Sequence, residues 1–310
     1  MALEGLHHIT AITGGAPRNV DFYARTLGLR LVKKTVNFDQ PTAYHLYYGD
    51  ELGTPGSLLT FFEFPGVPAG RSGGGMPYRI AWRVAGDAAL DFWSARLDDA
   101  GVPFARGEDG VRFADPEGLE HELVADGAPD AALRAVAADV PAEYALLGLA
   151  GVHAYASHAR ASGPLLGALG FTPGDEEGTW KLAGDERRAR WSYDAAAARG
   201  LQGAGSIHHV AWSAADDAEL VRLRATVAAA GARPTPIIDR QYFHSVYFRE
   251  PSGVLFELAT RDIGFTIDEP LQSLGDELKL PPQHEPDRAR LEGLLTPIVN
   301  PRSEAADRSQ

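Results

Sequence analysis

Apolar and polar positions along the chain alternate between two periods. Short runs rich in branched and aromatic residues predict strands at Leu6-His7-His8-Ile9-Thr10 and over 29–36, 43–48 and 57–64. Between the first two lies 17–27, where Val20, Tyr23, Ala24 and Leu27 fall along one helical face and Gly28 provides the stop. The same order then recurs. A strand at 78–84 precedes a helix at 87–100 ended by Gly101, and a last strand follows Asp115-Pro116-Glu117-Gly118. Gly151-Val152-His153 opens a third copy, with a helix over 159–169 ended by Gly170. Its hairpin, 179–182 and 188–193, turns at Gly184-Asp185. The fourth copy opens with Ser206-Ile207-His208-His209-Val210-Ala211-Trp212. Its helix over 216–230 carries Leu220, Leu223 and Val227 before Gly231, and Pro251-Ser252-Gly253 leads into the strand that ends at Leu258.

Each unit therefore reads strand, helix, glycine stop, then about three strands, which predicts an α+β chain of four βαβββ units. Two units fill 1–146 and two fill 147–262. The remaining 263–310 form a C-terminal extension, with a short amphipathic helix over 287–295 and a polar end from Arg302 expected to be mobile. The Gly/Pro/Ser-rich stretch 65–77 reads as a linker, because its glycines lack the Gly-Lys-Ser/Thr ending of a phosphate loop. The Ala/Asp-rich stretch 125–146 reads as the link between halves.

Composition narrows the class. Hydrophobic content of 45% and charged content of 23% fit a folded globular chain of 310 residues. With no cysteine, disulfides, thiolate metal sites and cysteine nucleophiles are excluded, and a cytoplasmic location is expected. The net charge of −13 argues against nucleic acid or an anionic membrane as partner. No basic region followed by an apolar run opens the chain, and no stretch has the length of a membrane span.

The chemistry lies in a repeated doublet. His7-His8-Ile9 returns as His208-His209-Val210. Superposing the units sets the His209 position on His8, Arg79 and His153. The Glu257 position, four residues past Gly253, falls on Glu122 and Thr60, four past Gly118 and Gly56. Two imidazoles and a carboxylate facing one concavity make a metal site with open positions. Two ligand sets remain open at this point: His8, His209 and Glu257 if the fourth unit pairs with the first, or His153, His209 and Glu257 if it pairs with the third. The matching doublets favour the first pairing. Side-chain alternation points His7 and His208 away from the metal on their own strands, within reach of a neighbouring pocket or a substrate's distal hydroxyl if the strands twist or bulge. Phe61, Phe62, Phe64 and Trp82 read as core, Arg187-Arg188-Arg190 as an exposed hairpin, and His244 as a residue near the site loop.

Several motifs together carry a resemblance. They are Leu6-His7-His8-Ile9-Thr10, Tyr44-His45-Leu46-Tyr47 with Glu51-Leu52-Gly53-Thr54-Pro55-Gly56, Ile207-His208-His209, Asp239-Arg240 to Tyr247, and Pro251 to Glu257. On these, over 6–266, the chain resembles a ring-cleaving dioxygenase of the vicinal-oxygen-chelate superfamily (the glyoxalase, bleomycin-resistance and extradiol dioxygenase group), nearest its hydroquinone dioxygenase branch. The resemblance implies that the units pair into two cupped barrels, with His8, His209 and Glu257 holding Fe(II), or Mn(II) as the alternative ion. It implies roles around the substrate for Tyr247, Arg240, His208, His7 and Thr10. The implied reaction opens a hydroxylated aromatic with dioxygen to a semialdehyde acid. The expected partners are that small aromatic and dioxygen, with homo-oligomerisation left open.

Two departures discriminate within the group. The extradiol signature has a His seven residues before the Tyr, where this chain has Arg240, which weighs against a catechol substrate. A glyoxalase-type isomerase uses a second carboxylate, where this chain has Thr60, which favours oxygen chemistry. The competing expectations are a catechol-type extradiol dioxygenase, an isomerase or lyase with a fourth ligand near Thr60 such as Glu63, and a non-catalytic binder of aromatics.

Overall fold

All four repeats are present in the computed structural model, which describes residues 3–303 apart from Asp109 and Ala197. The first unit comprises β1 (Leu6–Thr13), α1 (Ala16–Val20), β2 (Arg30–Val36), β3 (Tyr44–Gly49) and β4 (Leu58–Glu63). The second comprises β5 (Met76–Val84), α2 (Asp87–Asp99), β6 (Phe104–Arg106), β7 (Gly110–Ala114) and β8 (Glu120–Ala125). The third has β9 (Leu149–Ala156), α3 (Gly163–Ala168), β10 (Thr172–Pro173), β11 (Thr179–Ala183) and β12 (Arg188–Ala195). The fourth has β13 (Ser206–Ala214), α4 (Asp217–Ala229), β14 (Ile238–Asp239), β15 (His244–Arg249) and β16 (Leu255–Thr260), and α5 (Arg288–Glu292) lies in the extension.

Helix starts and stops follow local chemistry. Asp216 caps α4 by accepting from the backbone N–H of Glu219 at 2.8 Å. The predicted first helix begins as α1 but continues through a π-helical turn, Asp21–Thr26, before Gly28 adopts φ 66° and ends it. The third helix starts as a 3-10 turn at Ala159–Ser162 ahead of Pro164.

The pairing of units decides the architecture. One eight-stranded sheet runs β14-β15-β16-β13-β1-β4-β3-β2, and the other runs β10-β11-β12-β9-β5-β8-β7-β6. The first unit therefore joins the fourth through antiparallel β1 and β13, and the second joins the third through β5 and β9. Each curled sheet is one cupped barrel, and each draws one unit from either side of residue 146. Trp82, Trp93, Trp191 and Trp212 are fully buried, and Trp191 and Trp212 lie 5.9 Å apart, both packed on Phe256. Burying an aromatic of this size stabilises by roughly 1.5–3 kcal/mol, so these rings fix the units against one another.

The extension is tied to the first sheet. Lys33 on β2 is buried and bonds Asp268 at 2.7 Å and Glu269 at 2.6 Å. Asp268 also accepts from Tyr242 and from Gln241, so one carboxylate joins the extension to the loop that carries Arg240. Phe265 packs on both Tyr47 and Tyr242 at 5.0 Å. Arg302, expected at the start of a mobile end, donates to Glu51 at 2.9 Å. The rest of that end, 304–310, lies outside the described residues. Among the described residues no helix is long and apolar enough to cross a membrane.

Candidate active site

Both histidine doublets sit on irregularities in the β1–β13 ladder. The pairing steps from Leu6 to His8 along β1 and from His209 to Ile207 along β13, so the unpaired residues are His7 and His208. Such a bulge bends its strand and re-aims neighbouring side chains. Alternation alone would point the rings of each doublet to opposite faces. Here they touch instead, with His7 Nδ1 at 2.9 Å from His8 Nδ1 and His208 Nδ1 at 2.7 Å from His209 Nδ1.

These contacts set the protonation of the ring that faces the cup. The Thr260 carbonyl, 3.0 Å from His7 Nε2, can only accept, so His7 Nε2 carries its hydrogen. Burial, then the neighbouring His8, lowers the His7 pKa to about 3, so its Nδ1 is a bare acceptor. His8 then donates from Nδ1 and turns its Nε2 toward the cup. His208 Nδ1 meets His209 Nδ1 likewise, and its pKa is lowered to about 3 by burial and then by His209.

Those ring atoms meet a carboxylate. His8 Nε2 lies 3.2 Å from Glu257 Oε2, His209 Nε2 lies 2.8 Å from the same oxygen, and the two nitrogens are 3.3 Å apart. Glu257 is buried; its Oε1 accepts from Ser245 Oγ, while Oε2 has no hydrogen-bond partner. Burial would raise the Glu257 pKa, but His8 and then His209 outweigh it and hold the carboxyl well below its ordinary range. An unpartnered buried carboxylate oxygen costs several kcal/mol unless something positive meets it. Three acceptor atoms converging on one point fit a divalent cation. Among the described residues this is the one group of three metal-ligating side chains within reach of one another.

His8 and His209 lie on the wall of a cavity of about 290 Å³, a volume suited to one small ring. Phe38, Phe62, Phe64 and Phe243 form its apolar walls, with Phe243 5.1 Å from the His8 ring. Of the phenylalanines expected in the core, Phe61 is there, while Phe62 and Phe64 face the cavity. Tyr247 lies edge-on to His209 at 5.7 Å. Burial, then the Glu257 charge, raises its pKa, so the phenol stays protonated. Arg240 donates from Nε to the Tyr247 hydroxyl at 3.3 Å and from Nη1 to Asp39 at 3.1 Å. His208 also lines the cavity.

Other residues lie elsewhere. His7 backs His8 and does not line the cavity. Thr10 is buried and shares a hydrogen bond with Thr60 at 2.8 Å, one layer behind the wall. His244 pairs with Asp217 at 2.6 Å, away from the cavity. Glu63 accepts from the N–H of Ala16 at 2.9 Å, which engages it at the start of α1. The ladder also corrects the superposition of repeats. Arg79, the counterpart of His8, pairs with His153, whereas His8 pairs with Ala211. The counterpart of His209 is thus Gly151, and His153 sits in the other barrel, 3.5 Å from Glu122. The second cup lacks both imidazoles of a matching set, with Arg79 and Gly151 in their places. A larger cavity of about 760 Å³, beside the linkers, lacks the convergent acceptors.

Sequence reasoning missed His45 and Tyr47 as site residues, although both line the cavity. His45 Nε2 bonds Thr60 Oγ1 at 2.9 Å and its Nδ1 bonds the Tyr47 hydroxyl at 2.9 Å. In the sheet Tyr47 pairs with Thr60 as Tyr247 pairs with Glu257, an equivalence that the ladder register makes visible.

Comparisons with known proteins agree with this geometry. The family model for the Glyoxalase/Bleomycin resistance protein/Dioxygenase superfamily matches residues 5–123 and 165–258. The Bacillus subtilis (strain 168) protein MhqO, named as a ring-cleaving dioxygenase, is 39% identical over 302 residues, 95% of this chain and 96% of that protein. A chlorohydroquinone/hydroquinone 1,2-dioxygenase of Sphingobium indicum is 32% identical over 314 residues, 91% of this chain and 93% of that protein. The crystal structure of a Bacillus subtilis dioxygenase superposes with a TM-score of 0.90 at 38% identity, covering 96% of this chain and 98% of that one. Glyoxalase I from Zea mays, 16% identical with a TM-score of 0.60 over 88% of this chain and 97% of that one, shares the fold. The chain belongs to the Glyoxalase/Bleomycin resistance protein/Dioxygenase superfamily, among its ring-cleaving dioxygenases.

Proposed function

We propose that the protein opens a hydroquinone-type aromatic ring with dioxygen to a semialdehyde acid, in the cytoplasm, with Fe(II), or Mn(II) as the alternative ion, held by His8, His209 and Glu257. One observation carries the reading: two imidazole Nε2 atoms and a buried carboxylate oxygen converge at the wall of an aromatic-lined, single-ring cavity. Iron bound there supplies Lewis acidity and an electron path between ring and dioxygen. The relative that acts on chlorohydroquinone and hydroquinone supports the substrate class.

The protein groups would divide the remaining work. Phe62, Phe64 and Phe243 hold the ring and exclude water. Arg240, steadied by Asp39, presents a permanent charge to a deprotonated ring oxygen, and Tyr247 offers that oxygen a hydroxyl proton. With His209 giving Nε2 to the metal, its Nδ1–H goes to His208 Nδ1, so the neutral His208 can donate from Nε2 at the cavity wall. A catechol grips a metal through two adjacent oxygens, whereas a para-diol uses one and leaves its orientation to such groups. The isomerase reading lacks its carboxylate, since the counterpart of Glu257 is Thr60 and Glu63 is engaged elsewhere.

Arg240→Ala is the test. Losing a charged hydrogen bond costs roughly 1.5–3 kcal/mol, a tenfold to hundredfold fall in kcat/KM on hydroquinone. Arg240→His, offering a titratable ring in place of a fixed charge, should not restore it. An Arg240→Ala enzyme as efficient as wild type would sink the proposed role.

A further inference from the structure

The wall of the cavity formed by β3 carries two buried polar side chains that the reaction as described leaves unused. Tyr47 and His45 are both buried, both face the cavity, and their rings are 4.0 Å apart. His45 is bonded at both nitrogens, to the Tyr47 hydroxyl and to Thr60, and Thr60 is bonded to Thr10. Four polar groups thus form a single line from the cavity into the protein.

That line can run in either direction. Burial, then the neighbouring His8, lowers the His45 pKa well below its ordinary value, so the ring carries one hydrogen. With that hydrogen on Nε2, His45 donates to Thr60 and accepts from Tyr47, whose oxygen then presents lone pairs to the cavity. With it on Nδ1, His45 donates to Tyr47, whose own O–H is free for a ligand. A phenol with reversible polarity suits a ring oxygen that arrives as a hydroxyl and is later deprotonated. The position is also informative. Tyr47 pairs with Thr60 as Tyr247 pairs with Glu257, so the two tyrosines are pseudo-symmetric partners in one sheet, both lining the same cavity.

We propose that Tyr47 is the binding group for the second hydroxyl of a para-diol, and that His45, backed by Thr60 and Thr10, is the positioning residue that sets the direction of its proton. This deepens, and rests on, the reading of the cavity as a hydroquinone-type site. Tyr247 and Arg240 would serve the ring oxygen nearest the His8–His209–Glu257 cluster, and Tyr47 the oxygen across the ring. Tyr47 thereby becomes a specificity-determining residue, since a buried partner left unpaired discriminates against analogues lacking the group.

The experiment measures binding without oxygen to the metal-loaded protein by calorimetry, using hydroquinone, hydroquinone monomethyl ether and phenol. Wild type should bind hydroquinone roughly tenfold more tightly than phenol, with the monomethyl ether, which can only accept from Tyr47, in between. Tyr47→Phe, which keeps shape and iron content, should bind all three within about twofold of one another, the expected consequence of removing one discriminating hydrogen bond. His45→Ala should narrow the ratio of hydroquinone to phenol affinity; general damage would weaken all three together. A Tyr47→Phe protein with the wild-type preference, parallel losses in His45→Ala, or a wild type without preference overturns the assignment. Oxygen consumption by the same wild-type preparation on hydroquinone separates the two readings. Its absence removes the proposed reaction, while the binding ratios still judge the role of Tyr47.

Discussion

Alanine at His8 or Glu257 is expected to strip the metal and abolish oxygen consumption, while His153→Ala leaves both near wild type. The argument is geometric. Glu257 Oε2 is within 3.2 Å of both imidazole Nε2 atoms, so each of the three residues supplies one donor to one point. Removing a partner behind a ligand typically costs roughly 10–100-fold in metal affinity. His7→Ala should fall in that range, because it frees the Nδ1 proton of His8 from its acceptor. Removing a ligand outright should cost more than this, and two remaining donors hold a divalent ion poorly. His153 lies in the other barrel against Glu122 and can lose its ring without touching the cluster. Metal content of the purified variants, read beside oxygen uptake, checks the series. Iron retained in His8→Ala but lost in His153→Ala would reverse the assignment.

Lys33→Met is expected to destabilise the fold by roughly 3–5 kcal/mol, the range for breaking one side of a buried ion pair. Lys33 is wholly buried, and of its two partners Glu269 is also buried while Asp268 is partly exposed. Without the ammonium, Glu269 would keep only the backbone N–H groups of Gly275 and Glu277, at 3.2 Å each. The effect should reach the site as well. Asp268 holds Gln241 and Tyr242, the residues that follow Arg240, so loosening it should raise KM for the aromatic. Urea unfolding measures the first effect and steady-state kinetics the second. A midpoint shift equivalent to less than about 0.5 kcal/mol, the size of an ordinary surface substitution, would mean that the extension is not anchored by Lys33.

The parts of the site that could be read from the chain are those encoded within single strands. Each His-His doublet and the Gly253-to-Glu257 spacing are local, and the match of one doublet to the other pointed to the pairing of the first and fourth units. What escaped reading depends on partners that meet only through the sheet. His45 and Tyr47 acquire meaning when the β3–β4 register brings Thr60 beside them. Alternation set His7 and His208 away from the ligands unless the strands twist or bulge, and both residues are bulges whose rings touch the ligands from behind. His153 was aligned two positions away from the true counterpart of His209 because one imidazole was matched to another, whereas the bulge at Ala150 answers that at His208 and sets Gly151 beside it as the counterpart. Lys33 offered no signal, because its carboxylates lie more than two hundred residues away in the C-terminal extension.

The most direct test of the central claim joins metal analysis to oxygen uptake on hydroquinone and on catechol with the unaltered protein. The account predicts stoichiometric iron, or manganese, and dioxygen consumed faster with hydroquinone than with catechol, with a semialdehyde acid as product. Faster uptake on catechol, or turnover of neither diol by fully metallated protein, would contradict it.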